Sequence, residues 1–173
     1  MEKKHTVSFE IGSAPCNILH AWWRSLAEQK GDRAELRRCH VPVQVVFVPS
    51  YHTLLGKMGQ ECNLDKERLA MIAGVAAHVR SDNPSSRMAA QLSEMNNGAP
   101  RLSPLRFRRI LSIKENEELY EAMIRLVQYL KGTVNLCDMA QSIYWWNDNT
   151  KKRWAYEYYK EKSSNKNEPK VSL

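Results

Sequence analysis

Apolar residues recur every three or four positions along most of this chain, the spacing that places them on one face of an α-helix. The clearest stretch runs from Asn116 to Lys131 and is followed by Gly132. Its apolar stripe consists of Leu119, Met123, Leu126 and Leu130. Weaker versions of the pattern predict further helices over residues 13–30, 32–39, 65–79, 85–95, 103–112, 135–147 and 149–162. The polar residues expected to begin them are Ser13, Asp32, Asp65, Ser85, Ser103, Asn135 and Asn149.

Residues 41–48 carry a different pattern, because β-branched side chains dominate between Pro42 and Pro49. A short apolar run of this kind fits a strand or a buried helix equally well, and we interpret it as weakly helical. The chain then has about eight or nine predicted helices and no internal repeat of the roughly 20 to 50 residues typical of solenoids. The predicted fold class is therefore all-α, a helical bundle protein.

The segment from Asn96 to Leu102, rich in Asn, Gly and Pro, is the expected boundary between two lobes. Residues 1–98 would form an N-terminal helical lobe, and residues 99–162 would form a C-terminal four-helix bundle. The polar residues 163–173 are expected to be a disordered tail.

The composition adds a basic balance to this picture. The 173 residues include 26 Lys+Arg and 19 Asp+Glu, which gives a formal net charge of +7, and 43% of the residues are hydrophobic. Such a chain is expected to fold without a metal or a disulfide and to favour an acidic partner. No apolar segment follows Lys3-Lys4, and the longest apolar stretch, Ala70 to Ala77, is far shorter than the ~20 residues of a membrane span. We therefore expect a cytoplasmic protein with no membrane partner.

The cysteines offer no recognisable metal site, and the sequence offers no catalytic motif. Cys16, Cys39, Cys62 and Cys137 are far apart and lack zinc-binding spacing, so we interpret them as buried free thiols. The glycine-rich phosphate loop, the nucleophile elbow and the zinc-protease motif are absent from the sequence. We therefore predict no enzymatic activity, no cofactor and no metal.

Positive charge is concentrated in the second half of the chain. Residues 101–114 carry five basic side chains and no acid, and four glutamates follow between Glu115 and Glu121. A helix that begins at Pro104 would place its arginines outward and most of its apolar residues inward. The outward set is Arg106, Arg108 and Arg109, and the inward set is Leu105, Phe107, Ile110 and Leu111.

A second basic run, Lys151, Lys152 and Arg153, lies in the first turn of the final predicted helix, where positive charge opposes the helix dipole. A nearby phosphate would relieve that cost. The alternative is that both basic runs are solvated surfaces that serve solubility, and the sequence leaves this alternative open. The aromatic residues from Trp154 to Tyr159 are interpreted mainly as core residues rather than as base-stacking platforms.

Three segments of the second half resemble the CasB family, which is the small subunit of the type I-E CRISPR surveillance complex Cascade. They are residues 106–111 (RFRRIL), 123–127 (MIRLV) and 139–146 (MAQSIYWW). Two N-terminal segments are similar to family members as well, namely residues 21–23 (AWW) and 33–38 (RAELRR). The resemblance covers most of residues 15–160.

The resemblance implies an all-α, non-enzymatic subunit that pairs head to tail with a second copy and assembles with the other Cascade subunits. It also implies backbone contacts to crRNA and to the target and displaced DNA strands. The positions that match the family's basic surface are Arg37, Arg38, Arg108, Arg109, Lys114, Arg125, Lys151 and Lys152, with Lys66 as a further candidate. Arg106 and Arg153, from the two basic runs, complete the predicted nucleic-acid-binding set. The glutamates between Glu115 and Glu118 depart from the family's pattern.

Two other classes of function remain open. A stand-alone transcription regulator would read bases through a helix-turn-helix, and Pro104 to Ser112 is the only candidate recognition helix. Sequence-specific binding that survives about 200 mM salt would favour this class. A purely structural interaction protein would carry its basic surface incidentally.

Overall fold

The computed structural model describes residues 6–164. Within that range the chain forms ten helices and four two-residue strands, which confirms the all-α prediction. The helices are α1 Ala14–Glu28, α2 Lys30–Arg37, α3 Pro42–Val46, α4 Pro49–Glu61, α5 Lys66–Ala76, α6 Met88–Ser93, α7 Pro104–Leu111, α8 Asn116–Tyr129, α9 Leu136–Tyr144 and α10 Asp148–Ser164. The strands are β1 Ser81–Asp82, β2 Met95–Asn96, β3 Ala99–Pro100 and β4 Thr133–Val134.

The last helix extends slightly beyond its predicted end. Ser163 and Ser164 belong to α10 and not to the predicted disordered tail, and the rest of that tail lies outside the described residues. None of the helices within the described range is long and apolar enough to cross a bilayer.

Four predicted N-caps are confirmed, because each side-chain oxygen accepts a hydrogen bond from the N–H group three residues later. They are Ser13, Asp65, Ser103 and Asn135. Three predicted caps are wrong. Ser85 lies before α6 and does not cap it, because the N-cap position of that helix is Arg87. Asp32 lies inside the first turn of α2, whose N-cap position is Gln29. Helix α10 is capped by Asn147 rather than Asn149, because the Asn147 Oδ1 accepts from the Thr150 N–H at 3.1 Å.

The ambiguous segment 41–48 is helical, since α3 covers most of it. The next helix, α4, is not among the predicted helices. Its buried side chains are Ser50, Tyr51, Leu54 and Met58. Gly56 and Gly59 lie on its exposed side and weaken the helical pattern, because each glycine costs about 1 kcal/mol relative to alanine. Burial of the opposite face outweighs that low propensity.

The predicted helix over residues 85–95 is shorter in the structure, where α6 begins at Met88 and ends at Ser93. Strand β2 follows and pairs antiparallel with β3. The dipeptide Asn97-Gly98 joins them, with φ angles of 53° and 82°. An Asn-Gly pair with both φ angles positive is a preferred two-residue hairpin turn. The dipeptide therefore closes a hairpin and does not end a helix.

Helix α5 lies at the centre of the molecule and is buried along most of its length. It packs against α2, α3, α4, α8 and α9. The helices approach closely at Gly74, where an added methyl group would collide with the ring of Tyr120 on α8. The Tyr120 hydroxyl in turn donates to the Cys39 carbonyl at 2.9 Å.

One cluster of buried side chains extends from Val7 to Tyr158. Helix α6 packs against α10, and β1 pairs in parallel with β4, so elements of both predicted lobes share this core. The division into two lobes at residues 96–102 remains a prediction.

Two of the four aromatic residues of α10 lie in the core as predicted, whereas Tyr156 and Tyr159 are 77% and 41% exposed. Trp154 and Tyr158 are fully buried, and Phe107 stacks on Tyr158 with ring centroids 3.9 Å apart. Leu105, predicted to point inward, is 55% exposed. It shares a helix face with Arg108, three positions later, and that face is turned to solvent.

Two of the four cysteines are not free thiols, so that prediction is wrong for half of the set. Cys16 on α1 and Cys137 on α9 form a disulfide with their Cα atoms 5.6 Å apart. Cys39 and Cys62 are buried thiols outside the disulfide, as predicted. The bonded pair is separated by 121 residues, so only the packing of α1 against α9 reveals it.

Candidate nucleic-acid interface

A concave basic surface lies where α2 meets the end of α1 and the segment after α5. This surface, the α2 pocket, encloses about 460 Å³ and is lined by Leu26, Ala27, Lys30, Arg33, Ala34, Arg37 and Arg80. Its lining includes four basic side chains and no acid. Such a surface attracts an anion strongly, because the cations are close together and none of the lining groups neutralises them.

Arg33 is the fixed element of the α2 pocket. Its Nε donates to the Ala77 carbonyl at 3.0 Å and its Nη2 donates to the Val79 carbonyl at 2.8 Å. These bonds satisfy carbonyl groups at the C-terminal end of α5 and attach α2 to it. Burial, and then the charges of Arg37 and Arg80, lower the pKa of Arg33. The three guanidinium groups are therefore close enough to repel one another.

His78 is close enough to Arg33 and Arg37 for their charges to change the pKa of its ring. Burial, followed by the charges of Arg37 and Arg33, lowers its pKa to about 4. The ring is therefore neutral at pH 7. Neither ring nitrogen of His78 has a hydrogen-bond partner among the described residues.

The sequence predicted only part of this surface. Arg37 lines the α2 pocket, and Arg38, the C-cap residue of α2, is exposed beside it. Lys30, Arg33 and Arg80 were not predicted. Arg33 lies four positions before Arg37, a spacing that could have indicated a shared helix face. Arg80 follows α5, and no local pattern relates it to α2.

The predicted basic run on α7 is exposed. Arg106, Arg108 and Arg109 all face solvent, and Lys114 is exposed just after the helix. A cavity of about 500 Å³ separates α7 from α8, and we call it the α7–α8 groove. Its charged rim consists of Arg106, Arg109, Glu118, Glu121 and Arg125.

The α7–α8 groove has an apolar floor and a rim of mixed charge. Arg125 forms an ion pair with Glu121, one helical turn earlier, and both side chains are mostly exposed. Arg101, near the start of α7, pairs with Glu94 at 3.0 Å. The basic run and the glutamates that follow it in sequence thus face each other across the groove. Exposed pairs of this kind contribute about 1 kcal/mol or less, so a phosphate can compete for these arginines.

In the second basic run Lys152 is exposed, and its side chain forms no hydrogen bond or ion pair with another residue in the described part of the chain. The Nζ of Lys151 donates to the Ile113 carbonyl at 2.9 Å. Arg153 donates to Asp138 Oδ1 at 2.8 Å and to Ser142 Oγ at 2.9 Å. Asp138 is buried and needs a counter-ion, which explains why Arg153 turns towards the protein.

The remaining predicted positions lie apart from these surfaces. Lys66, the first residue of α5, is exposed and lines a different cavity, which it shares with Glu67 and Glu117. Lys114 and Lys151 line one shallow cavity of about 610 Å³ between α7 and the start of α10. The structure therefore places the eleven predicted residues on several surfaces rather than in one continuous groove.

The helix-turn-helix reading finds no support in the connection before α7. Ser93, the end of α6, and Pro104, the start of α7, are joined through the β2–β3 hairpin. A helix-turn-helix joins its two helices by a turn of about three or four residues. Helix α7 therefore does not follow α6 through the tight turn that a recognition helix requires.

Comparison with known proteins gives a family and a fold. The family model described as CRISPR-associated protein Cse2 matches residues 32–159. A chain in the crystal structure of E. coli Cascade bound to a PAM-containing dsDNA target is similar, with a TM-score of 0.64 and 18% sequence identity. That similarity covers 88% of this chain and 97% of the E. coli chain, and it shows a shared fold. No curated protein matches the chain.

Proposed function

The chain belongs to the CRISPR-associated Cse2 family, and we propose that it is a non-catalytic small subunit of a Cascade complex that holds nucleic-acid backbones without reading their sequence. Cse2 and CasB are names of one family, so the resemblance predicted from the sequence is confirmed. The observation that carries the proposal is the α2 pocket, whose lining combines four cations with no acid.

The proposed role is to stabilise an R-loop, in which crRNA pairs with the target DNA strand and displaces the other strand. Exchange of a DNA duplex for an RNA–DNA duplex is nearly balanced in free energy, so a few backbone contacts can decide its direction. Arginine suits this task because its planar guanidinium matches the geometry of phosphate oxygens. Such contacts carry no base preference, which leaves sequence recognition to the guide.

The proposed contacts centre on Arg37, with Lys30 and Arg80 beside it in the α2 pocket. Further backbone contacts come from exposed cations elsewhere, namely Arg38, Arg106, Arg108, Arg109, Lys114 and Lys152. Arg33 and Arg153 serve as positioning residues, because both guanidinium groups donate to protein acceptors.

The test compares two double variants that remove the same charge. Arg37→Gln/Arg80→Gln alters the α2 pocket, whereas Arg24→Gln/Lys57→Gln alters exposed positions of α1 and α4. Each protein is assembled with its complex, a guide RNA and a matching DNA duplex, and dissociation of the target is timed at several salt concentrations. We expect the pocket variant to release target at least tenfold faster, with a salt slope smaller by about 1.5.

Equal release by the two variants would contradict the proposal. A separate outcome concerns the regulator hypothesis. If the isolated chain selected one DNA sequence over others at about 200 mM salt, a sequence-reading function would replace the proposed one.

We also propose that two copies pair head to tail through exposed apolar side chains. Val43 and Phe47, in and just after α3, are 57% and 76% exposed. Leu105 on α7 and Tyr129 on α8 are exposed apolar side chains of the second half of the chain, at 55% and 46%. An N-terminal surface of one copy meeting a C-terminal surface of the next would cover both.

Sedimentation measures this pairing directly. Phe47→Glu should shift the chain from dimer to monomer, because it places a charge in the proposed contact. Ile11→Glu is the matched control, since Ile11 is also strongly exposed, at 71%, but lies outside that surface. A dimer that persists in Phe47→Glu, or a wild-type chain that is monomeric at every concentration, would exclude the proposed pairing.

A further inference from the structure

Three potential metal ligands meet where α1 packs against α9. Cys16 and His20 lie one turn apart on α1, and Cys137 reaches them from α9. One ring nitrogen of His20 and the two cysteine sulfurs all lie within 4.8 Å of one another. The cysteines are bonded to each other in the structure, and reduction of that bond would free both sulfurs beside the imidazole.

The environment of His20 favours a ligand role. Its Nε2 lies 3.3 Å from Asp82 Oδ2, whereas its Nδ1 is buried and has no hydrogen-bond partner among the described residues. The other oxygen of Asp82 accepts from the Leu136 N–H at 2.8 Å, which ties the carboxylate to the start of α9. A carboxylate that holds one nitrogen of a histidine while the other nitrogen faces a metal is a recurrent arrangement in metal sites.

Both cysteines occupy the first turn of a helix. Cys16 follows the Ser13 cap of α1, and Cys137 follows the Asn135 cap of α9. The N-terminal end of a helix stabilises negative charge, so each position favours the thiolate that binds metal.

We propose that Cys16, His20 and Cys137 form a reducible zinc site, in which the dithiol form binds one Zn²⁺ and the disulfide form is the metal-free state. A small dithiol reductant supplies two electrons and two protons, which convert the S–S bond into two thiols while the reductant becomes a disulfide. Zn²⁺ then binds the two sulfurs and the imidazole nitrogen, and the two thiol protons are released to solvent. Two thiolates select zinc over magnesium or calcium, which prefer oxygen ligands.

The site has a route to solvent. Cys137 lines a surface cavity of about 540 Å³ that it shares with Asn135, Asp138 and Gln141. In the proposal a reductant or an ion comes from this cavity, and a small local movement exposes the sulfur of Cys137, which is 2% exposed. A water molecule from the same side can complete the tetrahedral coordination that zinc prefers with three protein ligands.

The test uses the full chain and the metal alone. The protein is reduced with a phosphine, freed of metal and titrated with Zn²⁺, and bound zinc is counted after gel filtration. Titration with Co²⁺ reports the ligands through its visible spectrum, since tetrahedral thiolate coordination gives intense bands. We expect one zinc per reduced chain and none per oxidised chain.

Variants separate this site from incidental thiol binding. Cys16→Ser and Cys137→Ser should each abolish stoichiometric binding. Cys39→Ser and Cys62→Ser alter the two buried cysteines outside the disulfide and should retain one zinc. Asp82→Asn keeps every ligand and should weaken zinc binding about 10- to 100-fold. His20→Asn should change the Co²⁺ spectrum.

The proposal fails if the reduced wild-type chain binds no zinc, if Cys39→Ser or Cys62→Ser loses it, or if His20→Asn leaves the Co²⁺ spectrum unchanged. Asp82→Asn keeps both cysteines, so its zinc affinity tests the site if the serine variants do not fold. An affinity equal to that of the wild-type chain would contradict the proposal. None of these readouts involves nucleic acid, so their outcome is independent of the proposed function.

Discussion

The α2 pocket and the α7–α8 groove are both rich in arginine, yet their electrostatic environments differ. The groove takes its arginines from the most basic run of the sequence, and the fold places Glu118 and Glu121 on the same rim. The α2 pocket draws its cations from separate segments, and Arg80 reaches it from beyond α5. Charge density along a sequence is therefore a poor guide to the potential of a surface, because the fold decides which charges become neighbours.

The largest expected difference between the two regions is in stability. Arg33→Met would leave the Ala77 and Val79 carbonyls without their guanidinium donors. We expect this to lower the free energy of unfolding by about 2–4 kcal/mol, because two hydrogen bonds from a charged donor are lost at about 1.5–3 kcal/mol each, although the Val79 carbonyl keeps the indole N–H of Trp23. Arg109→Met in the groove should change it by less than about 0.5 kcal/mol. Urea unfolding of both variants makes the comparison, and similar losses would show that Arg33 is not a structural anchor.

The next largest effect is the loss of folding stability at acidic pH that His78, beside the α2 pocket, should cause. His78 has a pKa of about 4 in the folded chain against an ordinary 6.5, so the unfolded state binds a proton first as the pH falls. Stability from this group is complete above pH 6.5 and is lost as the pH drops towards 4, by about 2–3 kcal/mol. His78→Gln should flatten that dependence in unfolding measurements between pH 7 and 4, and His52→Gln, an exposed control, should not.

Nucleic-acid binding gives the most direct comparison. Arg37→Gln/Arg80→Gln should weaken binding of a mixed-sequence oligonucleotide about tenfold or more, whereas Arg106→Gln/Arg109→Gln should weaken it only a few-fold. The reason is that glutamates line the groove beside its arginines, whereas no acidic side chain lines the α2 pocket. Fluorescence anisotropy at two salt concentrations measures both. A larger loss from the groove variant would reverse the ranking of the two surfaces.

The smallest expected effect is a gain of binding in the groove. Glu118→Gln/Glu121→Gln removes the acids that offset Arg109 and Arg125, so the affinity for the same oligonucleotide should rise about two- to fivefold at low salt. Glu10→Gln/Glu61→Gln, with the same charge change at exposed positions outside both the groove and the α2 pocket, tests whether net charge alone is responsible. An equal gain in both variants would favour net charge over local pairing.

Much of the secondary structure follows from local rules. Ser103 with Pro104, and Asp65 before an apolar stripe, specify helix starts through backbone geometry and one side-chain hydrogen bond. Helix α4 escapes these rules, because its glycines weaken the pattern and only burial of Tyr51, Leu54 and Met58 stabilises it. The hairpin at Asn97-Gly98 carries a recognisable turn signal that also fits the end of a helix.

The candidate site was predictable only in part. The sequence identified Arg37 and the arginines of α7 as exposed cations, and the structure agrees. It could not distinguish Lys152, whose side chain is exposed, from Arg153, which is drawn inward by the buried carboxylate of Asp138. Both belong to one basic run, and the partner that separates them is fifteen positions away.

The sequence by itself determined the helical fold class, most helix starts, the basic balance and the resemblance to the Cse2 family. Only the tertiary structure decided that Arg80 joins α2, that glutamates face the arginines of α7, and that Cys16 meets Cys137 beside His20. The physical reason is the distance along the chain over which each kind of interaction acts. Helix starts and amphipathic stripes depend on neighbours within about one or two turns, whereas pockets, ion pairs and disulfides depend on which distant segments the buried core brings together.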